Sequence, residues 1–585
     1  MGFASKMSGC CSLGNKSSLF SVLGFVFVLL NLAALWALHF ADRPVTKGSL
    51  RSATRFTSQL STTAANVGDA VSFNSDNVLR TGAGITAYLN KLNLGSDLTG
   101  VKYINFAPMG TSDATYTTNV MSYQRTTTDG TDAVLTTVSY DFNTKTLTAA
   151  VIDSGNVVEN PIRGIATLSD TQMAVLTVAT DANYNTKVYV TPAALDSGKV
   201  TLNKAKTTQV ATNSATNFIK AFTSTSFVMA YYTDYTSPPY YQKAVVGTIA
   251  SNGGITLSTA AQFGIANDND FNVQFGAPLV LKDIGVAIPY YSTLNSYADP
   301  PTSKTDADLS GLCVTYAKYE NGAFKTFNDE CDESYRPKHY PESVALSDNV
   351  MAVVFYDTAN SNALTLVTLK VVGSDLKFQT SYVFTEVFGN FDYGKGYEFY
   401  TTPRLHLMSG NRLAVSFLNP ALNGKPSVRI LSYSTLSLAF KEVTPVLPVA
   451  QPNFTLAVSE SGAVTHDLLP VGSDGLLAAY VGSLDSSVQQ HFSVVETFTK
   501  PVGIIQSYSG NEVSIATQGR VDVDGLTSGE FHYATTSGAL VAKGTSTDSN
   551  SAEYIYAAGD TVVVTADSRV GVATDYDTLF VSTSF

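Results

Sequence analysis

Short apolar runs punctuated by polar turns recur along most of the chain as one repeated phrase. It consists of an apolar strand, a tight polar turn, a second apolar strand, a variable loop, a third strand, another tight turn and a fourth strand. The clearest copy reads "PRLHLM", turn "SGN", "RLAVSFL", loop "NPALNGK", "PSVRILSYS", then "LAFKEV" after a short turn. The second strand returns as "NVMSYQ", "MAVLTVAT", "FVMAYYTD", "VAIPYY", "MAVVFYD", "RLAVSFL" and "LLAAYV". Aligned on Val120, Ala174, Val228, Ala287, Ala352, Ala414 and Leu477, the copies step by 54, 54, 59, 65, 62 and 63 residues, and most of the variation falls in loops. The turns, such as "LSDTQ", "DSGK", "SNGG" and "ENG", hold residues that accept positive φ or cap their own backbone, as tight hairpins require.

A period of this length predicts stacked supersecondary units. Four antiparallel strands per unit and seven units in series predict an all-β fold: a seven-bladed β-propeller over 96–500, in which radial closure leaves few free edges. The seventh unit lacks an evident fourth strand. A strand from before the first unit is expected to fill the gap, with "DAVSFN" at Asp69–Asn74 the candidate and 41–95 otherwise a stalk. From Pro501 the period breaks. Glycines at Gly525, Gly529 and Gly538 read as turns of a small C-terminal β module over 501–585. The segment "GLTSGEFHYATTSGAL" with "VGVATDYDTLFV" resembles the small β modules that close some phage tail-fibre and algal surface proteins, which implies a capping or self-assembly role.

The amino terminus carries the clearest targeting signal. Leu19 to Phe40 is uncharged for 22 residues, and about 20 suffice to cross a bilayer as a helix. A single transmembrane signal-anchor helix over 19–40 is expected, after a short cytosolic tail over 1–18. A cleaved signal peptide is the alternative, but its apolar region is usually shorter. Arg43, Lys47, Arg51 and Arg55 after the span outnumber Lys6 and Lys16 before it, which taken alone would keep the body in the cytosol. The Thr/Ser-rich composition and the cysteine placement argue instead for an extracellular or lumenal body. A net charge of -12 without a basic cluster leaves nothing to neutralise phosphates, so nucleic acid is not an expected partner.

The four cysteines fall in two pairs. Cys10 and Cys11 precede the span, where adjacent thiols are candidates for S-acylation. Cys313 and Cys331 flank an Asn321-Gly322 turn. A two-residue hairpin loop there sets Cys313 opposite Glu330, so a bulge near the base is needed to bring the sulfurs together. Such a disulfide requires an oxidising compartment. The Asn453-Phe454-Thr455 triplet, a candidate glycosylation site, agrees with that location.

In an up-and-down blade, the second-to-third loops and the links between blades share one face, and the tight turns share the other. The loop "TDYTSPPYYQ" should therefore join the long connections of blades three to six. Together they gather the candidate ligand-binding residues Asp234, Tyr235, Tyr240, Tyr241, Tyr297, Asp299, Tyr335, His339, Tyr340, Asp392, Tyr393 and Tyr397, with Asp268 and Asp270 nearby. A tyrosine offers a flat apolar surface with a hydroxyl at its edge, which suits sugars and peptides. The alternative is that these rings pack down over the propeller's own rim. "YYTD" resembles the "YWTD" phrase of low-density-lipoprotein-receptor-type propellers in this one blade, and no functional residue is carried across.

Trp36 is the only tryptophan and lies in the apolar run, so the Trp-bearing signatures of WD40, kelch and sialidase Asp-box propellers are absent. His339, His406, His466, His491 and His532 show no zinc-ligand spacing. "NDND" at Asn267–Asp270 and "DVDG" at Asp522–Gly525 are fragments of calcium loops without the full ligand set, so no cofactor is expected and Ca²⁺ is at most a weak candidate. No catalytic residue is assigned. The pattern points to a membrane-anchored surface protein whose propeller loops bind a glycan, matrix polymer or partner protein. The alternatives are a glycoside hydrolase or lyase using two loop carboxylates, and a purely structural assembly unit.

Overall fold

The computed structural model describes residues between Thr54 and Ser582. Residues 1–53, 91–101, 234–239, 295–310, 389–402, 449–465 and 543–554, with a number of other connections, lie outside the described residues. Among the described residues no helix is long and apolar enough to cross a membrane. The apolar run at 19–40, with Cys10, Cys11 and Asn453, falls outside them.

Among the described residues seven antiparallel sheets of four to six strands follow one another along the chain, six of them with their strands paired in sequence order. Their second strands are the repeated apolar phrase, and their register shows why that phrase is apolar throughout. In Val350–Asp357 every residue is buried. Val350, Ala352, Val354 and Tyr356 pack toward the sixth sheet, while Met351, Val353 and Phe355 pack toward the fourth. A strand covered on both faces has no polar side to present, so it reads as a continuous apolar run. The same layering of neighbouring sheets recurs between the first and second, second and third, and third and fourth.

The first strand of each sheet is innermost. Lys102–Ser112 packs on Ile162–Thr167, that strand on Asn217–Thr223, and so on through Leu279–Leu281, Glu342–Ser347, Arg404–Met408 and His466–Val471, which returns to Lys102–Ser112. The result is a propeller-like all-β fold with the first strands around an axis.

In five of the seven sheets the fourth strand comes in two pieces that both pair with the third. Interrupting an outer edge in this way removes a long template for intermolecular pairing. In the fourth sheet it also sets the cysteines. Asn321 and Gly322 take φ of 54° and 80°, the type I′ geometry of a two-residue hairpin, so that Tyr319 faces Phe324. After the break, Tyr316 faces Asn328 and Cys313 faces Cys331, one residue out of step with the hairpin. That slip is the bulge that the spacing requires, and the two cysteines form a disulfide.

The seventh sheet takes its fourth strand from before the first: Ile85–Asn90 pairs antiparallel with Val488–Thr497. Residues 69–74, expected in that place, lie elsewhere. Ala70–Phe73 pairs with Pro501–Ser509 in a nine-stranded sheet. There Val71 is fully buried against Ile505, Val513 and Ile515, so its apolar face is already used. Thr54–Gln59 joins the same sheet along Glu512–Asp522. The C-terminal module, read from the sequence as separate, therefore shares its sheet with strands that precede the first propeller sheet.

Candidate functional site

Each first strand starts at the end of its sheet where the long connections emerge, and the second strand runs back to that end. Residues at the start of the first strands consequently ring the mouth of the axial channel. The strand pairing sorts them into tiers. Two positions past the repeat anchor on the second strand, the partners on the first strand are Asn105, Gly164, Phe218, Glu342, Arg404 and Asp467. Gly276, whose N–H donates to the carbonyl of Pro289, completes this tier in the fourth sheet.

The sector from the fifth sheet to the first is polar. Arg404 Nη1 lies 3.5 Å from Glu342 Oε2, bridging the fifth and sixth sheets. Asp467 accepts the Phe106 N–H at 2.8 Å through Oδ2 and the Leu468 N–H at 2.9 Å through Oδ1. The first of these bonds stitches the seventh sheet to the first, and charge-assisted bonds of this kind are the stronger ones. Asn105 Nδ2 reaches the carbonyl of Ile162 at 3.5 Å, a weak link onward to the second sheet.

Two histidines complete the cluster. His466 opens the first strand of the seventh sheet and is only 4% exposed. His406 lies one tier deeper in the sixth. Burial, then the charge of Arg404, lowers the His466 pKa to about 3, against a partial upward effect of the Ser416 backbone. Burial, then the charges of Lys220, Arg404 and His466, lowers that of His406 to about 3 as well. Both imidazoles are thus neutral at pH 7. The approach of His406 Nε2 to Asp467 Oδ1, at 3.9 Å, is accordingly neither an ion pair nor a hydrogen bond. Burial raises the Asp467 carboxyl pKa, Arg404 and the two N–H donors oppose the rise, and Glu342 adds to it. No group of three or more metal-ligating side chains is present among the described residues.

The sequence-derived candidates divide. Asp234, Tyr235, Asp268, Asp270, Tyr297, Asp299, His339, Asp392, Tyr393 and Tyr397 lie outside the described residues. The strand ends flanking their connections, such as Thr233 and Tyr240, are at the mouth end. Tyr241 is 37% exposed there. Tyr340 sets its ring 6.4 Å from Phe218 in the mouth tier. Tyr335 does not face outward. Its ring centroid is 6.0 Å from both Phe355 and Phe378, packed between the fourth and fifth sheets, so this tyrosine follows the packing alternative.

The mouth cluster itself was not singled out in the sequence, yet a signal for it exists. Lys220, Leu279, Val344, His406 and Leu469 each stand eight residues before the repeat anchor of their unit, and each pairs with it. Alignment on the second strand therefore carries the first-strand tiers with it.

No protein-family model matches the chain, and no curated relative matches it. Several solved structures are similar to parts of the chain at low identity. The α-L-arabinanase of Penicillium chrysogenum is 9% identical, over 71% of this chain and 98% of that one, with a TM-score of 0.36. The β-propeller domain of the Trilobed protease from Pyrococcus furiosus is 8% identical, over 68% and 94%, at 0.34. The NanB sialidase of Streptococcus pneumoniae is 9% identical, over 70% of each chain, at 0.34. These values transfer no activity, and the fold assignment rests on this chain's own strand pairing, which is that of a propeller-like all-β protein.

Proposed function

We propose that the chain is a membrane-anchored, seven-bladed β-propeller that binds a glycan, matrix polymer or partner protein at the long-connection end of its channel. The observation that carries this reading is the convergence of two features on one end. The polar tier of Glu342, Arg404 and Asp467 opens there, and so do the strand ends at Thr233 and Tyr241 that flank one of the tyrosine-bearing segments. Binding sites favour concave positions lined by a few fixed polar groups on a rigid frame. The Cys313–Cys331 disulfide supports a body on the oxidising side of a membrane, with 19–40 as the anchor. The test is capture of glycans on an array by the full-length chain in detergent, comparing the parent with Tyr240→Ala/Tyr241→Ala. Loss of captured ligands is expected. Unchanged capture of every ligand would show that the proposed sector is wrong.

One observation favours a hydrolase or lyase as a second reading. Glu342 of the fifth sheet and Asp467 of the seventh flank Arg404 of the sixth, and burial raises the Asp467 carboxyl pKa. Glycoside cleavage uses a pair of carboxyl groups, one of them with a raised pKa. Against it, both oxygens of Asp467 are held by backbone N–H groups, a fixed structural use. The two readings separate in a reducing-end release assay on oligosaccharides. Turnover by the parent that is lost in both Glu342→Gln and Asp467→Asn establishes the enzyme, and no turnover leaves the binding reading.

A further inference from the structure

We propose that the channel mouth selects ligands bearing an anionic group, a carboxylate or a sulfate, which sits between Lys220 and His406 beside Arg404. This deepens the glycan reading above and rests on it.

In the tier below the mouth the seven positions, each paired with a repeat anchor, are Ala107, Ala166, Lys220, Leu279, Val344, His406 and Leu469. Five are apolar, and the polar pair comes from the third and sixth sheets. Those sheets are not neighbours in the ring of first strands, so the pair faces across the axis. Lys220 is exposed, which in this position means open to the channel.

Among the described residues no carboxylate pairs with Lys220. Glu342 is held by Arg404. Asp467 is tied to backbone N–H groups on the seam between the seventh and first sheets. An ammonium held among apolar walls gains from a counter-charge, because the attraction is stronger where water is partly excluded.

The state of His406 points the same way. It sits 3.9 Å from a carboxylate oxygen, yet the cationic charges of Lys220 and Arg404 add to burial in keeping it neutral. Two cationic side chains thus act on that point although the chain as a whole carries -12. The side chains of Arg404 and His406 remain 30% and 24% exposed, although Nε of Arg404 and Nε2 of His406 are themselves buried. An incoming anion would find a cation on one wall, a guanidinium above and an imidazole opposite. Charge-assisted hydrogen bonds to such a group are roughly twice as strong as neutral ones. A neutral sugar would make the same ring contacts without that gain.

The test measures binding of three oligosaccharides of equal length, one uronic, one sulfated and one neutral, to the full-length chain in detergent. Parent, Lys220→Met and Lys220→Glu are compared, with thermal melting to confirm that each is folded. At least one anionic probe should bind the parent about tenfold or more tightly than the neutral one, and which of the two does so identifies the anion. Lys220→Met should remove most of that preference while leaving the neutral probe unaffected, and Lys220→Glu should invert it. Equal binding of all three probes by the parent, still sensitive to Tyr240→Ala/Tyr241→Ala, would overturn the inference and keep the glycan reading. Anionic binding unchanged in Lys220→Met would overturn it as well. If none of the probes binds, the glycan reading and the inference fail together.

Discussion

At the scale of single residues, the mouth cluster makes the fold sensitive to acid. His406 and His466 each have a pKa of about 3 in the fold, against an ordinary value of 6.5. As pH falls below 6.5 the unfolded chain takes up protons at both positions while the folded chain does not. Their contribution to stability is therefore complete above 6.5 and is lost progressively as pH falls toward 3. The slope is ~1.4 kcal/mol per pH unit for each proton. Asp467 acts in the opposite sense. Its folded value is raised above 3.8, so its protonation in the fold offsets part of the loss at the acid end. Denaturant unfolding of the parent between pH 7 and 4 should show a falling midpoint. His406→Gln should flatten that slope without needing to change the stability at pH 7. An identical slope in the variant would mean that His406 is not held neutral.

At the scale of elements, the outer strand of the fourth sheet depends on one slipped residue. The Cys313–Cys331 bond closes a loop with a sequence separation of 18. By the chain-entropy account a loop of that size contributes ~3 kcal/mol. The double variant Cys313→Ser/Cys331→Ser should lose about that much in denaturant unfolding, and a reductant should have no further effect on it. This element was legible in the sequence because Asn321-Gly322 fixes the hairpin, and the off-by-one placement of Cys331 then demands a bulge. The second strands were legible for a different reason: burial on both faces leaves an apolar run that cannot be mistaken for a solvated strand. The closing strand was harder. "DAVSFN" and "ITAYLN" are alike in length and alternation, and only the partner edges available in three dimensions distinguish them. The mouth cluster was hidden because sheets five, six and seven supply one or two residues each, separated by more than a hundred positions from first to last. The packing of Tyr335 on Phe355 and Phe378 was not legible either, since a link between sheets can turn its ring inward as easily as outward.

At the scale of the molecule, strands from before the first sheet and from after the seventh meet in the nine-stranded sheet. Val71 is fully buried with Ile505, Val513 and Ile515, and Thr54–Gln59 covers an edge of Glu512–Asp522. A chain beginning at Gly82 would retain the closing strand Ile85–Asn90 but leave those edges bare. Such a truncation should make the region after Pro501 the first to be cut in limited proteolysis, while the seven sheets resist as in the parent. Equal resistance of 501–585 in both chains would show that the module stands without its N-terminal strands.

The pairing of Ile85–Asn90 with Val488–Thr497 also has a consequence in time. Roughly 400 residues separate the two partners, so at a synthesis rate of ~5–20 residues per second the early strand emerges ~20–80 s before its mate exists. Throughout that interval it is a nascent edge without a ladder, and the cell must keep it from annealing to the wrong polypeptide. Chaperone capture of ribosome-bound chains stalled before residue 488, and its release once Thr497 has cleared the exit tunnel, would be the cellular signature of a ring that can be fastened only at the end.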